Sequence, residues 1–155
     1  MNNQGSGEVE KARAYAFLLL KFRLRSVEEL RQRLKRKKFK DTIIQQTLNF
    51  LKEKAFIDDK EFARLWITSR IKKPLGFFRL EQELKIKGVD KDIIDEQLSK
   101  IRESYSESDV VLRIAEDRFQ KLKDLEPYKA KRRLFQYLSR RGFSSDNIAD
   151  ALSQL

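Results

Sequence analysis

The chain has 155 residues and carries 35 Lys or Arg against 24 Asp or Glu, which gives a net charge of +11. Such an excess of positive charge at this size predicts a polyanionic partner or an acidic protein surface. The chain contains no Cys and no His, which excludes thiol nucleophiles, disulfides, imidazole bases and zinc sites built from those side chains.

The composition predicts a folded chain. Charged residues make up 38% of it, but 40% are apolar, including 11 Phe, 4 Tyr and one Trp, and these can bury enough surface to fold. The longest apolar run, residues 14–20, is about a third of the ~20 residues that a membrane span needs. We therefore expect a soluble, cytoplasmic protein that has highly charged faces and no membrane partner.

The first predicted unit, residues 8–54, follows a segment, residues 1–7, that we expect to be flexible. Ser26 and Glu29 have the spacing of a capping box, which predicts a helix start. Lys38 occupies the turn after that helix, where a left-handed residue is expected and glycine costs least; the geometry of this first turn is left open. Apolar periodicity predicts three helices: residues 9–22, a helix carrying Leu30 and Leu34, and residues 42–51.

The second predicted unit covers residues 55–105. Asp58 and the acids after it suit a helix N-terminus, Pro74 separates two helices, and Gly88 suits a left-handed C-cap. The predicted helices are residues 62–71, a helix carrying Leu80 and Leu84, and residues 91–101.

The third predicted unit covers residues 106–155. Ser106 supplies an N-cap, Pro127 precedes the middle helix, and Gly142 repeats the C-cap glycine. The predicted helices are residues 110–125, a helix carrying Leu134 and Leu138, and residues 147–155.

These three units are copies of one pattern, in which Leu84 follows Leu34 at an offset of 50 residues and Leu138 follows Leu84 at an offset of 54. Apolar residues stay in register downstream: Phe39, Val89 and Phe143, then Ile44, Ile94 and Ile148, then Leu48, Leu98 and Leu152. Two leucines four residues apart share a helix face, and the following apolar residue fills the turn before the next helix. The sequence therefore predicts an all-α chain of three tandem three-helix repeats, each helix-turn-helix-like, in an elongated array. We interpret the repeated apolar positions as core rather than ligand contacts.

Positive charge recurs around the middle helices. Residues 21–40 contain ten basic and two acidic residues and residues 128–141 contain six basic and no acidic ones, whereas residues 90–126 contain seven basic and eleven acidic ones. One charge run is usually a solvated face, but recurrence along an array suits a linear polyanion or a filament groove. The candidate filament- or nucleic-acid-binding residues are Arg25, Arg31, Lys35, Arg70, Lys72, Lys73, Arg79, Lys85, Arg132, Arg133, Arg140 and Arg141.

Three carboxylates near residue 60 form a candidate catalytic or metal site. Asp58, Asp59 and Glu61 suggest either an acid–base pair or a magnesium site, but no second carboxylate cluster, glycine-rich phosphate loop or His accompanies them, so helix capping is favoured. Ser26 has no base partner in view and is interpreted as an N-cap. We expect no catalytic residues, metal or cofactor.

Several motifs resemble the RecX family of bacterial recombination regulators, from about Ala12 to Leu152. They are Arg25 to Leu30, Leu34, Phe39, the Ala55-Phe56-Ile57-Asp58-Asp59 stretch, Phe62-Ala63, Arg70, Gly76, Leu84 and Lys87-Gly88-Val89. Lys38 and Ala55 stand where the family often has glycine.

The resemblance implies a modulator of the RecA recombinase that lies in the deep groove of the RecA filament on single-stranded DNA. Such a protein usually inhibits strand exchange and coprotease activity, has no catalysis of its own, and belongs to DNA repair, homologous recombination and the SOS response. A tandem array needs no symmetric partner, so we expect a monomer.

Three alternatives are weighed against this function. A sequence-specific helix-turn-helix regulator needs Arg on the third helix of a unit, and the predicted third helices carry few. Non-specific DNA binding through the middle helices stays open. A structural scaffold leaves the charge of +11 unexplained, and an enzyme is disfavoured by the missing Cys and His.

Overall fold

The structure, a computed structural model, describes residues 3–155, and within that range it contains nine α-helices and no strand. The helices are α1 (Asn3–Phe22), α2 (Val27–Arg36), α3 (Asp41–Glu53), α4 (Asp59–Arg70), α5 (Phe77–Ile86), α6 (Lys91–Arg102), α7 (Glu107–Lys121), α8 (Pro127–Arg140) and α9 (Ser145–Ser153). The predicted fold class and the order of three helices per repeat are confirmed. None of these helices has the length and apolar composition that a membrane span requires.

Helix boundaries are where the sequence prediction was least accurate. Helix α1 begins at Asn3 rather than at residue 9. Gly5 and Gly7 each lower helix propensity by about 1 kcal/mol, but they do not break the helix. Part of the segment expected to be flexible is therefore helical, while Met1 and Asn2 lie outside the described residues. Helix α7 ends at Lys121, before the predicted end at residue 125, and the chain continues in tighter i to i+3 turns.

The described chain divides into two compact units. One consists of the described residues through Leu65 together with Leu84–Ile94, and the other consists of Trp66–Glu83 and Asp95–Leu155. The division passes through the second repeat, so each unit contains one junction between consecutive repeats.

Each unit has a core built from one complete repeat. In the first unit, small residues of α1 allow close packing against α2 and α3, and the core residues include Ala12, Ala16, Leu30, Leu34, Ile44, Leu48 and Leu51. In the second unit the core of α7, α8 and α9 includes Val111, Ala115, Leu134, Leu138, Ile148, Ala151 and Leu152. Leu34, Leu84 and Leu138 are all completely buried, which confirms the predicted equivalence of these three positions.

The turn after each middle helix has the same left-handed conformation in all three repeats. The backbone φ angle is 68° at Lys38, 77° at Gly88 and 85° at Gly142. The first turn therefore matches the other two even though a lysine occupies it, at a cost of about 1 to 2 kcal/mol. Ala55, the other position where the family often has glycine, also has a positive φ of 58°.

In the first unit, the turn of repeat 2 packs on the start of α2. Ser26 caps α2 by accepting a hydrogen bond from the Glu29 N–H at 3.1 Å, and its buried hydroxyl donates to the carbonyl oxygen of Lys87 at 2.5 Å. The Glu29 side chain bonds back to the Ser26 N–H, so the predicted capping box is confirmed. Gly88 lies so close to Glu28 that a Cβ at position 88 would clash with that side chain.

The second unit repeats this junction between α5 and the turn of repeat 3. Gly76, which is equivalent to Ser26, donates its N–H to the carbonyl oxygen of Arg141 at 2.9 Å, and the Phe78 N–H donates to Gly142 at 3.2 Å. A Cβ at Gly142 would meet the backbone of Arg79. At both junctions the N–H end of one helix thus meets the carbonyl end of the next repeat's middle helix, so the helix dipoles are complementary. Lys38 is exposed, so the turn of repeat 1 can accommodate a side chain.

Substitution of Ser26 by Ala tests the role of this junction in stability. We expect S26A to lower the free energy of unfolding by about 2 to 3 kcal/mol, because it removes an N-cap and leaves the Lys87 carbonyl without its donor. Ser144 caps α9 by accepting from the Asn147 N–H at 3.2 Å but is exposed, so S144A should cost only about 1 kcal/mol. Urea unfolding followed by circular dichroism measures both variants, and equal losses would contradict the role of the junction.

Candidate functional site

The middle helices differ in charge more than the sequence pattern predicted. Helix α8 carries five basic and no acidic residues, and α2 carries four basic and two acidic residues. Helix α5 contains two basic and two acidic residues and is neutral. The positive charge is therefore concentrated in repeats 1 and 3.

Helix α8 presents one continuous basic face. Arg133 and Arg140 are seven residues apart and share a side of the helix with Arg132, opposite the buried Leu134 and Leu138. All three arginines are exposed, and so is Lys129, which lies on the same face and was missed as a candidate. This face is the strongest candidate surface for a polyanion.

Eight of the twelve candidate residues are exposed and four are partly buried. The exposed ones are Lys35, Lys72, Lys73, Arg79, Lys85, Arg132, Arg133 and Arg140, and the partly buried ones are Arg25, Arg31, Arg70 and Arg141. Arg31 pairs with Glu28 at 3.3 Å. Arg141 donates from Nε to the Tyr137 hydroxyl at 3.1 Å, and its carbonyl oxygen belongs to the junction with Gly76.

Glu83 engages two of the candidate arginines. It accepts hydrogen bonds from Arg70 at 2.7 Å, from Arg79 at 3.3 Å and from the Trp66 indole N–H at 2.9 Å. Burial acts to raise the pKa of Glu83, but these hydrogen bonds and the charge of Arg70 together lower it. Arg70 therefore has a clear structural role, whatever further contacts it makes.

The carboxylates near residue 60 make separate interactions. Asp58 accepts from the Lys60 N–H at 2.9 Å, Asp59 accepts from the Val27 N–H at 2.9 Å, and Glu61 pairs with Arg64 at 2.5 Å. Among the described residues, no group of three or more acidic side chains could hold a metal ion. Only Asp58 makes the contact expected of a cap on α4, whereas Asp59 contacts the start of α2 and Glu61 forms an ion pair.

Asp59 and Glu107 occupy equivalent places at the two junctions. Each is the first residue of the first helix in its repeat. Asp59 accepts from the Val27 N–H at the start of α2 at 2.9 Å. Glu107 accepts from the Ser144 N–H at 3.1 Å, and the backbone of Phe77, at the start of α5, also acts to lower its pKa. Burial raises the pKa of both carboxyl groups. The hydrogen bonds and the nearby Lys52 or Arg102 oppose that rise only in part.

These raised pKa values predict a pH dependence of stability. Because the folded state holds protons on Asp59 and Glu107 more tightly than the unfolded state, their contribution to stability falls as pH rises from about 4 through the raised values. The pKa values of Glu29 and Glu83 are lowered. Their contribution to stability is therefore lost as pH falls, and only below the ordinary pKa of a glutamate.

The double variant D59N/E107Q should therefore lose less stability than the unsubstituted chain between about pH 4.5 and pH 7. Both replacements retain an acceptor oxygen for the backbone N–H groups. Urea unfolding at the two pH values measures the difference. An identical pH dependence in the two proteins would contradict the assignment of the raised pKa values.

The fold and the basic helices define a tandem helical-repeat protein whose positive charge is concentrated on the middle helices of repeats 1 and 3. Family profiles match all three repeats: the first, second and third three-helix domains of RecX match residues 12–51, 58–98 and 105–152. The chain belongs to the RecX family.

Individual relatives agree with this assignment. The chain is 39% identical over 147 residues to the regulatory protein RecX of Chlorobium phaeobacteroides, covering 94% of each chain. It is 37% identical to the regulatory protein RecX of Bacillus licheniformis, covering 97% of this chain and 57% of that longer protein. The crystal structure of RecX from Lactobacillus salivarius has the same fold, with a TM-score of 0.85 at 21% identity and 97% coverage of both chains.

Proposed function

We propose that this chain binds RecA and its nucleoprotein filament on single-stranded DNA and inhibits the recombinase, ATPase and coprotease activities of RecA. The observation that carries this proposal is the match of all three RecX domains, in order, along the chain. The exposed basic face of α8 supports it, because a filament on DNA presents phosphates and acidic protein surface. The protein would act in the cytoplasm, where RecA filaments form.

The proposed activity is regulation by binding, without a reaction catalysed by this chain. The sequence has no Cys or His, and the acidic residues considered for catalysis are engaged in caps and ion pairs. Inhibition would then arise from the contacts that the protein makes with the filament.

We also propose that the protein acts as a monomer, and the start of α8 supports this. The position equivalent to Ser26 and Gly76 is Ala130, which lies one turn inside α8 because that helix begins at Pro127. The Ala130 N–H bonds to Glu126 within the helix at 3.0 Å, so this position does not offer the backbone donor that Gly76 provides at the second junction. Sedimentation velocity over a range of concentrations should show a monomer, and a concentration-dependent dimer would contradict the proposal.

RecA-dependent ATP hydrolysis on single-stranded DNA tests the proposed function. We expect hydrolysis to fall as this protein is added, and to fall also when the DNA is in excess, because the filament is the preferred target over free DNA. Unchanged hydrolysis at concentrations above that of RecA would contradict the proposal.

Direct, non-specific DNA binding is the second candidate function, favoured by the six basic residues between Tyr128 and Arg141. Sequence-specific recognition through the third helices is not favoured, because α9 contains no Lys or Arg and α3 contains only Lys52. A DNA-only mode predicts that RecA hydrolysis falls only when the DNA is limiting.

A further inference from the structure

A pocket of 240 Å³ at the side of α2 gathers more positive charge than the surrounding acids neutralise. Its basic lining residues are Arg23, Arg25, Arg33, Arg36 and Lys87, and its acidic ones are Glu28 and Glu29. All of these residues belong to the first compact unit. Only Arg25 among them was a candidate from the sequence.

The two acids are already engaged. Glu29 bonds to Arg23 and lies 3.4 Å from Lys87 Nζ, and Glu28 pairs with Arg31, outside the pocket, at 3.3 Å. Arg25, Arg33 and Arg36 form no ion pair among the described residues, so the positive charge of the pocket exceeds its negative charge.

Arg25 lies in surroundings that are unfavourable for a positive charge. Its Nε atom is buried and has no hydrogen-bond partner among the described residues. Burial and the charges of Arg23 and Arg33 lower its pKa, against the opposing effect of Glu29. A bound anion would relieve the repulsion among the three arginines.

We propose that this pocket binds a backbone phosphate of single-stranded nucleic acid. Arginine presents a planar fork of donors that matches phosphate oxygens, and a cluster of arginines can surround one such group. The proposal deepens the proposed function, because it rests on an encounter with the filament and adds a direct contact with its DNA.

Apolar side chains beside the pocket favour a single strand over an acidic peptide. Phe22, which directly precedes Arg23, is 77% exposed, and Ile86, which lines the pocket, is 82% exposed. Proteins that bind single strands combine a basic groove with exposed aromatic residues on which bases stack. Phe22 would provide that stacking surface next to the bound phosphate.

Binding of labelled oligothymidylate, followed by fluorescence anisotropy without RecA, tests the pocket. The double variant R25Q/R36Q should lose about tenfold in affinity, and the slope of log affinity against log salt should flatten by about 0.7 for each phosphate that the variant no longer neutralises. The control K91Q/K121Q removes the same charge at exposed positions outside the pocket and should lose less than about twofold.

Equal losses in the two double variants would overturn the proposal. The single variant R36Q changes an exposed residue and should retain the fold, so it tests the pocket even if the double variant unfolds. An unchanged affinity of R36Q would also count against the site. Because this assay contains no RecA, its failure is distinct from the failure of the proposed function, which is read from RecA-dependent hydrolysis.

Two further measurements distinguish the occupant. Polyglutamate of the same length should displace oligothymidylate poorly, and equal displacement would identify a carboxylate site and overturn the proposal. F22A should weaken binding of oligothymidylate but not of an abasic strand, whereas L18A, which also removes an exposed apolar side chain of α1, should leave both unchanged. An unchanged affinity of F22A for oligothymidylate would contradict base stacking at this site.

Discussion

Reversing the charge at Arg132, Arg133 and Arg140 to Glu is expected to weaken binding to RecA filaments on single-stranded DNA by about 10- to 100-fold at moderate salt. These exposed arginines share the basic face of α8. Single reversals should have small effects, because several weak contacts along linked repeats bind together through their effective concentration. Co-sedimentation or anisotropy at several salt concentrations measures the change, and the salt dependence should flatten as basic residues are removed.

A matched control separates this surface from net charge. The triple variant K91E/K121E/K123E makes the same change in net charge at exposed positions outside the middle helices and should bind almost normally. Reversal of the acidic residues Asp90, Asp92 and Asp95 should likewise not weaken binding. Equal weakening by the arginine and lysine variants would mean that α8 is only a solvated face.

Replacing the equivalent core leucines is expected to have the largest effect on stability. Leu34, Leu84 and Leu138 are completely buried, and each change to Ala should lower the free energy of unfolding by about 2 to 5 kcal/mol through reduced burial and a residual cavity. Ile86 lies two residues after Leu84 on α5 but is 82% exposed, so I86A should change stability by less than about 0.5 kcal/mol.

Thermal and urea unfolding of the four variants measure these effects. A loss of stability at Leu84 no larger than that at Ile86 would contradict the placement of Leu84 in a core. A loss at only one of the three leucines would contradict their equivalence.

The repeated core could be predicted from sequence because burial imposes a local, periodic pattern. Leu34, Leu84 and Leu138 recur in register with their downstream partners, and helix periodicity then assigns them to one buried face. Helix starts could be predicted where the sequence supplies capping residues, as at Asp58 before α4 and Ser106 before α7. The start of α1 was missed because Gly5 and Gly7 lower helix propensity.

The junctions between repeats could not be predicted because they leave no periodic signal. Ser26 and Lys87 are 61 residues apart, and an N-cap serine has the same sequence signature with or without a second partner. Gly88 and Gly142 were explained by their left-handed conformation alone, whereas the structure shows a second reason, the close approach of Glu28 and Arg79. The glycines therefore serve both the turn and the junction.

The candidate site could be predicted in part. The basic runs were visible in the sequence, but ion pairing was not: Glu83 engages Arg70 and Arg79, and α5 is neutral as a result of its own acids. Arg33 and Arg36 were counted in a charge run without being singled out, because their convergence on Arg25 depends on side-chain packing around α2.

Co-sedimentation with preformed RecA filaments tests most directly whether this protein binds the filament. RecA, single-stranded DNA and a slowly hydrolysed ATP analogue are mixed with increasing amounts of this chain, and the filaments are pelleted at physiological salt. We predict saturable recovery of the chain in the pellet, with little recovery when RecA is omitted. A chain that stays in the supernatant at every concentration, while RecA pellets normally, would contradict binding to the filament.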